Sequence, residues 1–223
     1  EFINDIIQYP HLSNALFVCI LSGIACGIVG TYIVARRMVF LSGGITHSSF
    51  GGLGIALYAN TNPIVGALIF AIAAAIGIEW ASERGRIRQD SAIGIVWSVG
   101  MAIGIVFMNL RPGYTAGDLA AYLFGSIITV TEGDVVALVV LCAALIIGAL
   151  LWLRHIMFVA FDRDFAASQG IPIRTISYIM AIVVAVTIVL SIRAMGIILL
   201  ISLLTMPAVI VDSMSKTYRH ITV

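Results

Sequence analysis

One stretch of the chain is out of keeping with the apolar sequence around it: Ser42-Gly43-Gly44-Ile45-Thr46-His47-Ser48-Ser49. It places an imidazole among hydroxyls, with glycines at 43, 44, 51, 52 and 54. On a helix, Gly43, His47 and Gly51 share one strip, and Gly44, Ser48 and Gly52 share the next. Residues without side chains one turn above and below His47 imply open space beside the imidazole. Small residues four apart also let a second backbone approach closely. Two readings follow. In one, the glycines serve packing and His47 hydrogen-bonds a neighbouring helix. In the other, the helix lines a polar pathway and His47 meets a permeating solute, with Ser42, Thr46 and Ser48 as path-lining hydroxyls. Ionisable groups inside a membrane span are expensive and tend to be functional, and the glycine-flanked setting favours the second reading.

A second stretch carries a different kind of signal: Phe161-Asp162-Arg163-Asp164-Phe165-Ala-Ala-Ser-Gln-Gly170-Ile-Pro172. Asp162 is suited to cap a helix N-terminus, Gly170 to end the helix in a left-handed conformation, and Pro172 to prevent its continuation. A two-turn helix over about 161–170 follows, with Phe161 and Phe165 near one face and Asp162 and Asp164 beside them. Such a helix either lies on lipid or serves as a docking knob for a cytoplasmic partner.

The elements that must hold these residues are membrane spans. Of 223 residues, 61% are hydrophobic and 10% charged, against roughly 25% charged in a soluble domain. A soluble chain cannot hide that much apolar surface. The net charge of +1 gives no case for nucleic acid. A crossing helix needs about 20 mostly apolar residues, and such runs fall at 12–35, 40–59, 62–82, 91–109, 134–153, 175–192 and 194–211. The last two form one unbroken apolar stretch that divides near Arg193 and Gly196, and Pro207 is expected to break the final span. The fold expected is all-α: a single polytopic transmembrane bundle over 1–223 with about seven spans.

The basic residues orient it. Arg36, Arg37, Arg84, Arg86, Arg88, Arg154, Arg163, Arg174, Lys216 and Arg219 fall on one side, which leaves Arg111 and Arg193 on the other. The positive-inside rule makes the first side cytoplasmic, with the N-terminus outside. The segment from Asp118 to Thr131, too short to cross, is expected on the outer side as an interfacial or re-entrant helix. Cys19, Cys26 and Cys142 lie in apolar runs and read as small core fillers.

Several chemistries are missing. The sequence has no G-x-x-x-x-G-K-[ST], and Lys216 is its one lysine, so it does not bind ATP through a P-loop. It has neither H-E-x-x-H nor G-x-S-x-G. No enzymatic constellation is visible, and no cofactor is expected in this chain.

The two stretches together resemble the permease subunit of ATP-binding-cassette importers for zinc, manganese and iron. The resemblance runs along nearly the whole chain. It takes in Arg36-Arg37 leading into Ser42-Gly-Gly-Ile-Thr-His47, Asp90-Ser-Ala-Ile-Gly-Ile-Val96 and Tyr122-Leu-Phe-Gly-Ser-Ile127. It continues through Phe161-Asp-Arg-Asp-Phe-Ala166, Gly170, and Met195-Gly-Ile-Ile-Leu-Leu-Ile-Ser-Leu-Leu-Thr-Met-Pro207. The resemblance implies a homodimeric permease in a bacterial inner membrane with a divalent metal as transported substrate. It also implies a cytoplasmic subunit that binds ATP and docks on Phe161, Asp162, Asp164, Phe165 and Gly170, and an extracytoplasmic solute-binding protein.

The sequence departs from the family in two ways. The family usually reads Gly-Asp-x-x-Ser-His here, a carboxylate one turn before the imidazole. Ser42 and Gly43 take the places of the Gly and the Asp, so His47 matches and its partner does not. The family also continues through a further span, so the chain is expected to be truncated. A permease for a metal chelate such as cobalamin or a siderophore would share the architecture and lack the ligand pair. An ion-coupled secondary transporter would need coupling carboxylates near the midplane. The in-span candidates, Glu79 and Asp212, both sit near the cytoplasmic end of a span.

Overall fold

A computed structural model describes residues 10–85, 87–111, 125 and 130–221. The described residues are helical almost throughout, in the order α1 (Pro10–Ala35), α2 (Val39–Tyr58), α3 (Pro63–Glu83), α4 (Gln89–Asn109), α5 (Glu132–Phe161), α6 (Arg163–Ser168) and α7 (Ile173–Ile221). Helices satisfy every backbone polar group within the segment, which is the condition for crossing hydrocarbon. Local signals set the ends. Asn62 accepts a hydrogen bond from the Ile64 amide at 3.0 Å, with Pro63 in the first turn of α3. At the start of α5, the Asp134 carboxylate accepts from the Thr131 amide at 2.8 Å and from its hydroxyl at 2.7 Å.

Five helices are long and apolar enough to cross a membrane: Leu12–Ala35, Pro63–Glu83, Gln89–Asn109, Glu132–Phe161 and Ile173–Arg193. The other two expected crossings fall short for different reasons. The second arm of α7, Met195–Met206, is a shorter apolar helix. In α2 the glycines, hydroxyls and His47 dilute the apolar character, but 14 of its 20 residues are buried. Other helices cover α2, so its polar groups need not face lipid.

Close backbone contact accounts for that burial. A Cβ on Gly54 would stand 2.6 Å from the Gly104 carbonyl oxygen of α4, and one on Gly52 would run into the Gly66 carbonyl of α3. Lipid gives helices no hydrophobic reason to associate, so this van der Waals contact between small residues is what binds α2 to its neighbours. On the other side of the bundle α1 packs against α5 and α7, and α7 also meets α3. Ala67, Ala71 and Ala75 of α3 and Val184, Ala185 and Ile188 of α7 share one buried cluster with Cys26, Val29 and Ile33 of α1. Cys26 and Cys142 are buried and Cys19 partly so, in keeping with core filling. Large apolar side chains such as Leu150, Val140 and Ile69 remain on the outside, where lipid would meet them.

Three boundaries differ from the sequence reading. Helix α5 does not stop at residue 153. It runs on to Phe161, because Arg154 stays in the helix with its guanidinium 5.7 Å from the Phe158 ring. The break in α7 falls at Gly196 (φ 74°, ψ 171°), where the sequence reading put it, but helical dihedrals continue through Pro207, which therefore does not break the span. The short helix occupies Arg163–Ser168, so Phe161 ends α5 and does not begin α6. The expected outer segment 118–131 lies outside the described residues except for Gly125, Val130 and Thr131. Gly125 (φ 70°) backs onto the α7 break, where an added Cβ would meet the Met195 carbonyl carbon at 2.8 Å.

The arginine-rich end and its opposite supply a topological prediction. Cysteine at Ala59, in the exposed turn after α2, should react with an impermeant maleimide added to sealed cells. Cysteine at Arg88, in the exposed turn before α4, should react only after permeabilisation. Labelling of the Arg88 site in sealed cells would reverse the orientation.

Candidate functional site

The described residues place the two sequence-derived sites at different depths. His47 lies in the middle of α2 and stacks on Trp97 of α4, with ring centroids 4.3 Å apart and planes 10° from parallel. Trp97 is there because Gly43 admits it: a Cβ on Gly43 would stand 3.2 Å from Trp97 Cζ3. On the other side, a Cβ on Gly51 would meet the Gly100 carbonyl oxygen at 2.8 Å and the Phe70 ring at 3.0 Å. The open space expected beside the imidazole is therefore filled, since the glycines make room for aromatic side chains and backbone from α3 and α4.

Ser42, Thr46 and Ser48 are fully buried. Ser42 donates to the Val39 carbonyl at 2.8 Å and Ser48 to the Ile45 carbonyl at 3.0 Å, bonds local to their own helix that leave oxygen lone pairs over. His47 Nδ1 and Thr46 Oγ1 are buried and have no hydrogen-bond partner. Such groups are uncommon in folded proteins, and here two occur on adjacent residues. Among the described residues no group of three or more His, Cys, Asp and Glu comes together to hold a metal ion. What the structure assembles is one imidazole, one indole and buried hydroxyls. The chemistry open to it is transient coordination by nitrogen and neutral oxygen, without a fixed anionic ligand.

The second site lies at the arginine-rich end. Asp162 accepts from the Phe165 amide at 2.9 Å and so caps α6. Gly170 (φ 71°) closes it, its amide donating to the Ala167 carbonyl at 3.0 Å and that of Ile171 to Ala166 at 3.1 Å. Ala166 is buried, while Asp162, Asp164 and Gly170 are exposed. Phe161 is 72% exposed, and Phe165, 46% exposed, sets its ring edge on Phe158 at 5.3 Å. Phe161 thus ends α5 while Phe165 lies within α6, and the two do not form a stripe along it.

Two features escaped the sequence reading. Trp97 follows directly on the Asp90–Val96 motif, but nothing in its own position says that it faces Gly43. Glu79, noted only as an in-span acid, proves to be the centre of a buried charge cluster. Arg36 approaches it with Nη1–Oε2 3.1 Å and Nη2–Oε1 3.3 Å, and Arg163 of α6 with Nη2–Oε1 2.6 Å. The available signal was the acid itself, because a carboxylate buried at a span end demands a cationic partner. Burial works against the Arg36 cation, but Tyr32 and Glu79 outweigh it and hold its pKa above the ordinary guanidinium value. Two guanidinium groups already pair with Glu79, unlike the free coupling carboxylate of a secondary transporter.

A bundle of lipid-facing helices around a small-residue helix, with a capped helix protruding at one end, defines the membrane domain of a transport system. Residues 8–223 match the ABC 3 transport family, and the chain belongs to it. A "probable metal transport system membrane protein" of Chlamydia trachomatis is 37% identical over 220 residues, 95% of this chain and 74% of the relative. The manganese transport system membrane protein MntC of Halalkalibacterium halodurans is 30% identical over 206 residues, 92% of this chain and 70% of the relative. Among solved structures, PsaBC from Streptococcus pneumoniae in complex with Fab superposes with a TM-score of 0.78 at 28% identity, over 92% of this chain and 74% of that one.

Proposed function

We propose that the chain is the permease subunit of an ATP-driven importer for divalent transition metal ions, with manganese, zinc and iron as the candidate substrates. The observation that carries the reading is helix α6. It is short, capped at both ends, seated on the arginine-rich end of the bundle, and turns aromatic and acidic side chains to the aqueous side. A cytoplasmic ATP-binding subunit docks on that surface, and an extracytoplasmic solute-binding protein delivers the ion at the opposite face. Two copies of the chain form the permease, and neither copy hydrolyses ATP. The ion passes His47, with Ser42, Thr46, Ser48 and backbone carbonyls, or the second copy, completing its shell. The relatives named above, metal and manganese transport system membrane proteins, support the metal.

A specific observation favours a second reading. Trp97 fills the place of a carboxylate beside His47, and an indole stacked on an imidazole suits a chelated or partly apolar metal complex better than a hydrated dication. The chain would then be a chelate permease. Uptake into proteoliposomes holding permease, ATPase and binding protein separates the two, with radioactive manganese(II) offered free or as a preformed chelate. The expected result is ATP-dependent uptake of free ion that Phe165→Ala abolishes while the protein still inserts. Truncating an aromatic anchor at an interface commonly costs about 2 kcal/mol. Wild-type uptake by that variant would remove α6 as the docking surface.

A further inference from the structure

We infer that Glu79 is the positioning residue that fastens α6 to the bundle and passes displacement of that helix on to α1, α3 and α7. The inference rests on α6 being the docking helix, and it adds the route by which motion leaves it.

The geometry is specific. Glu79 sits in the last turns of α3 with 2% of its side chain exposed, and Arg36, just beyond the end of α1, is 7% exposed. Arg36 grips the carboxylate with two nitrogens and also donates to the Tyr32 hydroxyl at 3.0 Å. That part of the cluster joins α1 to α3. Arg163, the first residue of α6, reaches in from the aqueous side to Glu79 Oε1, and the same Nη2 lies 3.0 Å from the Ser177 hydroxyl of α7. Three helices of the bundle and α6 therefore meet around one carboxylate.

Among the described residues α6 otherwise lies near only the two helices it adjoins in sequence, α5 and α7. It has six residues, of which Ala166 is buried, and Phe165 adds one ring edge against Phe158. A methyl group and an aromatic edge permit sliding, because dispersion contacts are weak individually and have no fixed direction. A charge-assisted hydrogen bond of 2.6 Å to a buried carboxylate has both a length and a direction. Arg36 fixes the carboxylate from the other side, so Glu79 cannot follow Arg163 without moving α1 and α3. A displacement imposed on α6 thus reaches α1 and α3 through Arg163, and an α6 without that arginine can rock on Ala166 while those two helices stay still.

The test uses the full complex of permease, ATPase and solute-binding protein in proteoliposomes, with radioactive manganese(II) as probe. It measures ions transported per ATP hydrolysed, together with the melting temperature of the complex. Arg163→Met removes the link to α6 and leaves the buried Arg36–Glu79 pair intact. The expected result is an assembled complex with ATP hydrolysis within about twofold of wild type and a coupling ratio at least about tenfold lower, the equivalent of 1.4 kcal/mol. Arg163→Lys restores a charge with a single prong and should recover part of the ratio, because the lysine ammonium lacks the fixed fork. Glu79→Gln should also lose coupling, with a lower melting temperature because Arg36 and Arg163 then face each other without an anion between them, Arg36 being buried. An unchanged ratio in Arg163→Met overturns the inference. So does a loss of hydrolysis and transport in equal proportion, which would mark a purely structural contact. A separate arm, Phe165→Ala, tests whether α6 docks at all, so failure of the docking reading is distinguishable from failure of the relay.

Discussion

Alanine in place of His47 is expected to lower manganese uptake at limiting concentration by about tenfold or more, with insertion and assembly preserved. Loss of groups that support a metal's shell typically brings changes of that order. The ring is held by the face of Trp97, and its Nδ1 has no hydrogen-bond partner to give up. Without it, only hydroxyls and carbonyls are left along this part of α2. On the proposed path, such a site would suit passage and not storage, since an ion held too tightly does not leave. Gly43→Asp sharpens the test. The new side chain and the indole compete for the same space, because Trp97 Cζ3 already lies 3.2 Å from the position of a Cβ. The single variant should be impaired by crowding. Combined with Trp97→Ala, it should half-saturate at lower manganese and turn over more slowly. Normal uptake by His47→Ala would make the residue a packing histidine and put the path elsewhere.

The largest effect on stability is expected at Gly52. A Cβ there would overlap the Gly66 carbonyl and approach Phe70 Cβ to 2.5 Å. Backbone cannot swing aside as the end of a long side chain can, so Gly52→Val must separate α2 from α3. Overpacking ordinarily costs about 1–3 kcal/mol, and this contact should lie at or above the top of that range, because backbone contact is what holds α2 in the bundle. Gly77→Val is the control, since a Cβ at Gly77 meets nothing within 4 Å. Thermal scans in detergent should show Gly52→Val melting several degrees lower or failing to give monodisperse protein, with Gly77→Val close to wild type. Equal melting temperatures would contradict the close approach of α2 and α3.

Five of the seven expected spans were legible because each is a run of apolar residues of membrane length, and that signal needs no partner. The ends of α6 were legible for the same reason: Asp162, Gly170 and Pro172 act on their own backbone. Helix α2 was legible as the odd helix from its glycines, but what those glycines face was not. Whether Gly43 borders a void or an indole depends on how α4 crosses α2, and no local pattern encodes that crossing. The charge cluster was hidden likewise, since Arg36, Glu79, Arg163 and Ser177 are scattered along the chain and meet only after the helices pack. The end of α5 was misplaced because Arg154 and His155 look like the edge of a span, and the helix outlasts the hydrocarbon.

The break at Gly196 gives α7 the mechanics of a jointed rod. An unbroken helix of that length would act as a single lever, and any tilt at the arginine-rich end would swing the far end through a wide arc. With φ at 74° the hydrogen-bond ladder is interrupted, so the two arms can change their mutual angle. The first arm bears Ser177 at the charge cluster, and the second packs Leu200 and Leu204 into the core. Arg193, near the end of the first arm, is tied to Asp134 of α5 at 2.7 Å, and Gly125 lies against the joint itself. The joint is therefore held on the side away from the arginine-rich end, by the Arg193–Asp134 pair on one arm and by Gly125 at the break.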